Sequence, residues 1–163
     1  MIFKSISSLF FLLPCGVYRL PLILVSSLIC LTLCSCLYHY DRTNSIFIVL
    51  DSSSIIMVCS LYIWYNIYYT LLLLLLFCIE YVSYKSFYIK YLIYGYAATR
   101  NIYYSPLAMI PFLISIFVYM SNINSEFSYT NRFLWHFGQS LYICWSTQQF
   151  LKRIEKKIMA KIK

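Results

Sequence analysis

Charged side chains are scarce in this sequence, making up 11% of its 163 residues against 62% hydrophobic ones. A chain so poor in charge, with a mean hydropathy of +0.74, is excluded from the soluble globular classes. Glycine is scarcer still, at three residues. No glycine-rich phosphate loop, zinc-protease helix signature or lipase-type serine elbow is present. Histidine occurs only twice, at His39 and His136. Cysteine is not scarce, but its seven copies (Cys15, Cys30, Cys34, Cys36, Cys59, Cys78, Cys144) are odd in number and scattered through apolar runs. Cys34-Ser-Cys36 lacks the two-residue spacer of a redox or zinc pair, so the cysteines read as small buried hydrophobes.

What the chain has instead is aromatic and aliphatic surface. Aromatic residues reach 20%, with 18 tyrosines, and amphipathic rings suit the level where hydrocarbon meets headgroups. The net charge of +8 is concentrated at the end, where Lys152, Arg153, Lys156, Lys157, Lys161 and Lys163 face the single Glu155. That pattern is a membrane-flanking cluster, and nucleic acid is not expected as a partner.

In chain order, residues 1–14 form a short apolar segment that resembles the start of a signal peptide. It is too short to span a bilayer and reads as an attached interfacial or partly inserted helix. Residues 20–38 are the first full span and residues 45–65 the second. The stretch 66–98, with six consecutive leucines, reads as two short spans split near residues 83–86. A further span covers 103–120 and includes Pro106 and Pro111, where a kink is expected. A polar loop over 121–131 precedes the last span, 132–150. Residues 151–163 place Leu151, Ile154, Ile158 and Ile162 among lysines, the spacing of an amphipathic helix lying on the membrane surface. The expected fold is all-α: one transmembrane domain over residues 1–163, with about six spans and a short N-terminal apolar helix.

The positive-inside rule puts the basic tail in the cytoplasm. Counting back through six spans puts the loops at 121–131 and 40–44 together on the opposite side. His39, Asp51 and His136 then share one membrane face, within about 10 Å in depth. If residues 66–98 cross only once, the histidines end on opposite faces. Ionisable residues at such positions are functional candidates. The plainer alternatives are a histidine that snorkels to water and an Asp51 that caps a helix N-terminus. Glu80, at the end of the leucine run, is expected to reach the interface rather than join a site.

Ser35-Cys-Leu-Tyr-His39, followed by Leu50-Asp51 and by Phe133-Leu-Trp-His136 in the last span, resembles the alkaline ceramidases. Their membrane hydrolase superfamily also includes adiponectin-type receptors and hemolysin III proteins. The resemblance implies a seven-helix architecture, truncated here because only residues 2–13 represent the first helix. It also implies a zinc ion held by histidines, with a serine and an aspartate assisting attack of metal-bound water on a lipid amide. On that reading Ser35 and Asp51 are catalytic, His39 and His136 are metal ligands, and the substrate is sphingolipid-like. One ligand of the family's H-x-x-x-H pattern is missing: Arg132 stands in its place in one alignment and Ser140 in the other, and a guanidinium cannot bind a metal. Two arrangements remain. His39, His136 and Asp51 together are a recognised zinc set with an open position for water. Alternatively Arg132 pairs with Asp51 in a metal-free site, since a fixed cation would repel zinc. The second arrangement leads to a non-enzymatic multi-pass protein with a lipid-binding or protein-interaction role.

Overall fold

A computed structural model describes residues 6–104 and 129–162, with isolated positions between 110 and 117. Among the described residues the chain is all-helical. A 3-10 helix, Ser7–Leu12, runs into α1 (Leu13–Val17). There follow α2 (Leu22–Tyr40), α3 (Ser45–Trp64), α4 (Ile67–Tyr84), α5 (Tyr88–Tyr104) and α6 (Tyr129–Ile162). Helices α2, α3 and α4 are long and apolar enough to cross a membrane. The expected span over 103–120 and most of the polar loop after it lie outside the described residues.

The helix boundaries follow from local chemistry. Pro21 precedes α2 and cannot extend it backwards. Asn44 caps α3, its Oδ1 accepting from the Ile46 N–H at 3.0 Å. Asn66 caps α4 through the Tyr68 N–H at 2.9 Å. The third cap is borrowed from the preceding helix. Glu80 Oε1 accepts from the Tyr88 N–H at 2.5 Å and from the Ser86 hydroxyl at 2.7 Å, while Oε2 accepts from the Ile89 N–H at 3.0 Å. A carboxylate on the free N–H groups of a first helical turn is favoured by both hydrogen bonding and the helix dipole. Helices α3 and α4 each end on a left-handed residue, Tyr65 with φ 49° and Lys85 with φ 52°. The chain thus turns back sharply twice, and residues 66–98 form two helices.

Helix α3 lies at the centre, in contact with α2, α4, α5 and α6. One of its sides joins Leu24, Leu28, Leu31 and Phe150 through Val58, Leu61 and Tyr62. Its other side joins Phe77, Ile93 and Ala97 through Ile56 and Ile63. Ser52, Ser54 and Ser60 are buried along it, and small residues let helices approach closely where lipid supplies no hydrophobic drive. Its last carbonyls are taken by cations from two neighbours: Arg100 Nη1 donates to Ile63 O at 2.8 Å and Arg153 Nη2 to Tyr62 O at 3.3 Å. The outside is strongly apolar, with Leu22 79% and Val82 73% exposed, as a lipid-facing surface requires.

The N-terminal segment packs against α2 and α6, with Phe11 inserted into the core. Two expectations are corrected. The basic tail is the continuation of α6, which runs unbroken for 34 residues, roughly 51 Å. No glycine or proline interrupts it near residue 150, so nothing turns it onto the surface. Asp51 does not cap a helix, since Asn44 holds that place and Asp51 sits almost two turns inside α3.

The Glu80 cap gives a direct test. Glu80→Ala should destabilise the α4–α5 hairpin by about 1 kcal/mol, the usual cost of losing a helix cap. Earlier hydrogen exchange at Tyr88 and Ile89 is the measurement, and unchanged protection there would remove the capping role.

Candidate functional site

The up-and-down course of the helices gathers His39, Asp51, Lys90 and His136 at one end. The last turn of α2 carries His39, and Asp51 lies in the second turn of α3. Lys90 lies in the first turn of α5, and His136 about two turns into α6. The 3-10 helix brings two serines to the same place.

His136 is 1% exposed. Its Nδ1 is 2.6 Å from Ser7 Oγ and its Nε2 is 2.9 Å from His39 Nε2. The two imidazoles meet edge to face at 4.7 Å between centroids, and Phe11 closes the other side of His136 at 5.3 Å. His39 Nδ1 is in turn 3.0 Å from Arg42 Nη2, in the exposed loop between α2 and α3. That loop is shaped by Asp41, which accepts from the Thr43 hydroxyl at 2.7 Å and the Thr43 N–H at 3.0 Å. These bonds hold the Asp41 carboxyl below its ordinary value. A lowered folded value means that the turn is favoured above the usual carboxylate range and that this contribution is lost as pH falls through it.

A second set of polar contacts lies beside the first. Ser8 donates to Ser35 Oγ at 3.2 Å, and the Asp51 carboxyl lies close enough to Ser35 to feel its hydroxyl. Lys90 donates to Ser52 Oγ at 3.2 Å and attracts Asp51 electrostatically. Its ammonium also lies 4.9 Å from the ring centroids of Phe87 and Tyr91, a favourable place for a cation. Ser35 and Ser52 are buried.

The structure therefore brings His39 to His136, and Ser35 to Asp51. The Arg132 side chain lies outside the described residues, so its expected pairing with Asp51 does too. The described cation near Asp51 is Lys90. Ser140, the other candidate for the missing ligand position, is buried and donates to Phe137 O at 2.7 Å. Glu80 is spent on its helix cap. Among the described residues no three His, Cys, Asp or Glu side chains form a metal-binding group, and the seven cysteines are free thiols.

Sequence reasoning missed Ser7, Ser8, Lys90 and Arg42. A pair of serines inside a short apolar run, and a lysine in the first turn of a tyrosine-rich helix, are the signals that could have found three of them. Arg42 gave no such signal, because a loop arginine is ordinarily just solvated.

The donor set also bears on zinc. A zinc-bound histidine gives its second N–H to an acceptor, which fixes the tautomer. His136 meets this condition, with the Ser7 hydroxyl on Nδ1. His39 does not, because the group on its Nδ1 is a guanidinium, which only donates. His39 Nδ1 must then be the unprotonated nitrogen, and Nε2, the atom facing His136, carries the proton. The pair as arranged does not fit a zinc site.

Comparison with known protein families, curated proteins and solved structures finds no match to this chain.

The Asp51–Lys90 attraction predicts coupling. Asp51→Asn and Lys90→Met should each destabilise the protein, with the double variant less destabilised than their sum by about 1 kcal/mol. Additive effects in a double-mutant cycle would mean that the two charges do not interact.

Proposed function

We propose that this chain is an integral membrane protein on a truncated seven-helix, ceramidase-like scaffold. Its polar end receives the head of a sphingolipid-like lipid without a resident zinc ion. The observation that supports this reading is the gathering of Ser35, Asp51, His39 and His136 at one end of a largely apolar bundle, with Ser35 and His136 buried and His39 and Asp51 half-buried, because ionisable groups in apolar surroundings are kept at a cost. Hydroxyl, amide and carbonyl groups of a lipid head match the donors and acceptors of such a set. By the sequence resemblance, Ser35 and Asp51 correspond to the catalytic pair of the resembled hydrolases. The positive charge beside Asp51 comes from the protein, through Lys90, in place of a metal.

The test uses purified protein in nanodiscs and a fluorescent short-chain ceramide. Binding is expected, with affinity lowered roughly tenfold by Asp51→Asn, the loss of one charge-assisted hydrogen bond. Fatty-acid release is not expected. Release accompanied by stoichiometric zinc would establish the other reading, a zinc-dependent lipid amidase. Absence of both binding and release would leave the polar residues as boundary markers and overturn the proposal.

The same reading has six spans and a cytoplasmic C-terminus, supported by the basic end of α6. A glycosylation acceptor inserted within residues 121–131 should be modified in a lumenal compartment, and one added after Lys163 should not. The reverse pattern would invert the topology.

A further inference from the structure

We infer that Arg42 fixes the direction of a hydrogen-bond chain, Arg42 to His39 to His136 to Ser7, and thereby keeps divalent metal off the histidine pair. The inference rests on geometry and donor chemistry at the site described above. It stands whether or not that site receives a lipid.

Three contacts define the chain: Arg42 Nη2 to His39 Nδ1 at 3.0 Å, His39 Nε2 to His136 Nε2 at 2.9 Å, and His136 Nδ1 to Ser7 Oγ at 2.6 Å. An imidazole contact of this kind has no direction of its own, because either nitrogen of a neutral ring can hold the proton. The guanidinium breaks the symmetry. It has five donors and no acceptor, and it stays charged. With Arg42 donating, His39 Nδ1 accepts, so neutral His39 carries its proton on Nε2 and donates to His136 Nε2. Neutral His136 then carries its proton on Nδ1 and donates to Ser7 Oγ. For neutral rings, each of these contacts sets the proton of the next.

This direction has a chemical consequence. A metal ligand must present a nitrogen lone pair, and His39 Nε2 has a proton where that lone pair would be. His136 Nε2 does have a lone pair, but it points at that proton. For zinc to enter, the group on His39 Nδ1 would have to be an acceptor, as it is at the second nitrogen of most metal-bound histidines. Arg42 is thus a positioning residue that acts through His39. It belongs to the exposed loop, where its guanidinium lies 5.5 Å from the Tyr38 ring centroid, outside the two apolar core clusters.

Nitrogen NMR of the histidine rings in detergent-solubilised, lipid-free protein reads the tautomers directly. With two histidines, His136→Gln identifies the His39 signals. In the native protein His39 should be protonated at Nε2 and His136 at Nδ1. Arg42→Lys keeps a donor-only side chain and should preserve both states, whereas Arg42→Glu supplies an acceptor and should move the His39 proton to Nδ1. Zinc titration of the same samples should show Arg42→Glu binding at least about tenfold more tightly than the native protein, the scale on which partners behind a ligand tune affinity. A native His39 protonated at Nδ1 would overturn the inference. So would a tautomer unmoved by Arg42→Glu, or zinc binding equally tight in both proteins. None of these outcomes depends on ceramide, so a failed lipid assay and a failed tautomer assignment remain separate results.

Discussion

Hydrocarbon offers no hydrogen-bond partners, and that constraint accounts for most of what is seen here. Backbone groups are satisfied by making nearly everything helical. Side-chain hydroxyls inside the bundle turn back onto their own helices. Ser27 bonds to Leu24 O and Thr32 to Leu28 O, each at 2.8 Å, and on α6 Ser146 bonds to Tyr142 O at 2.9 Å. This back-bonding is neutral at best in water. In an apolar medium it lets small residues line the helix contacts without an unmet polar atom.

Groups that cannot be satisfied within one helix must meet others, and the antiparallel course of the chain decides where. At one end the guanidiniums of Arg100 and Arg153 close off the last carbonyls of α3. At the other end the imidazoles, Asp51, Lys90 and the serines of the 3-10 helix satisfy one another. The centre between them is mostly apolar, with Ile56 and Phe77 almost wholly enclosed and the Tyr94 hydroxyl donating to Gln139 across α5 and α6. Polar groups at the ends and an apolar middle match the profile of a bilayer. The site is therefore where the fold could hold ionisable residues at least cost.

Arg42 shows how a residue outside the packed region can set the chemistry of residues inside it. Two imidazoles in contact are ambiguous by themselves: the same arrangement suits a shared proton or a shared metal ion. The ambiguity is resolved by the charge type of a third group, and only because a guanidinium can never accept. A carboxylate in the same place would make the pair a metal site in waiting.

Much of this was legible in the sequence. Apolar runs and the punctuation at Pro21, Asn44 and residues 83–86 located α2, α3, α4 and α5, because helix length in lipid is set by bilayer thickness and by the need for a polar cap at each turn. Counting six spans predicted His39 and His136 at the same end, and the two rings do meet, while the expected span over 103–120 lies outside the described residues. What the linear chain does not carry is lateral arrangement, because lipid-facing and core-facing apolar residues are the same residue types and leave no periodic signature. Only the tertiary structure decided that the 3-10 helix enters the bundle with Ser7 and Ser8, and that Lys90 stands near Asp51. Only it placed a loop guanidinium on the outer nitrogen of His39. These contacts join residues up to 129 positions apart, and they are fixed by which helices pack side by side.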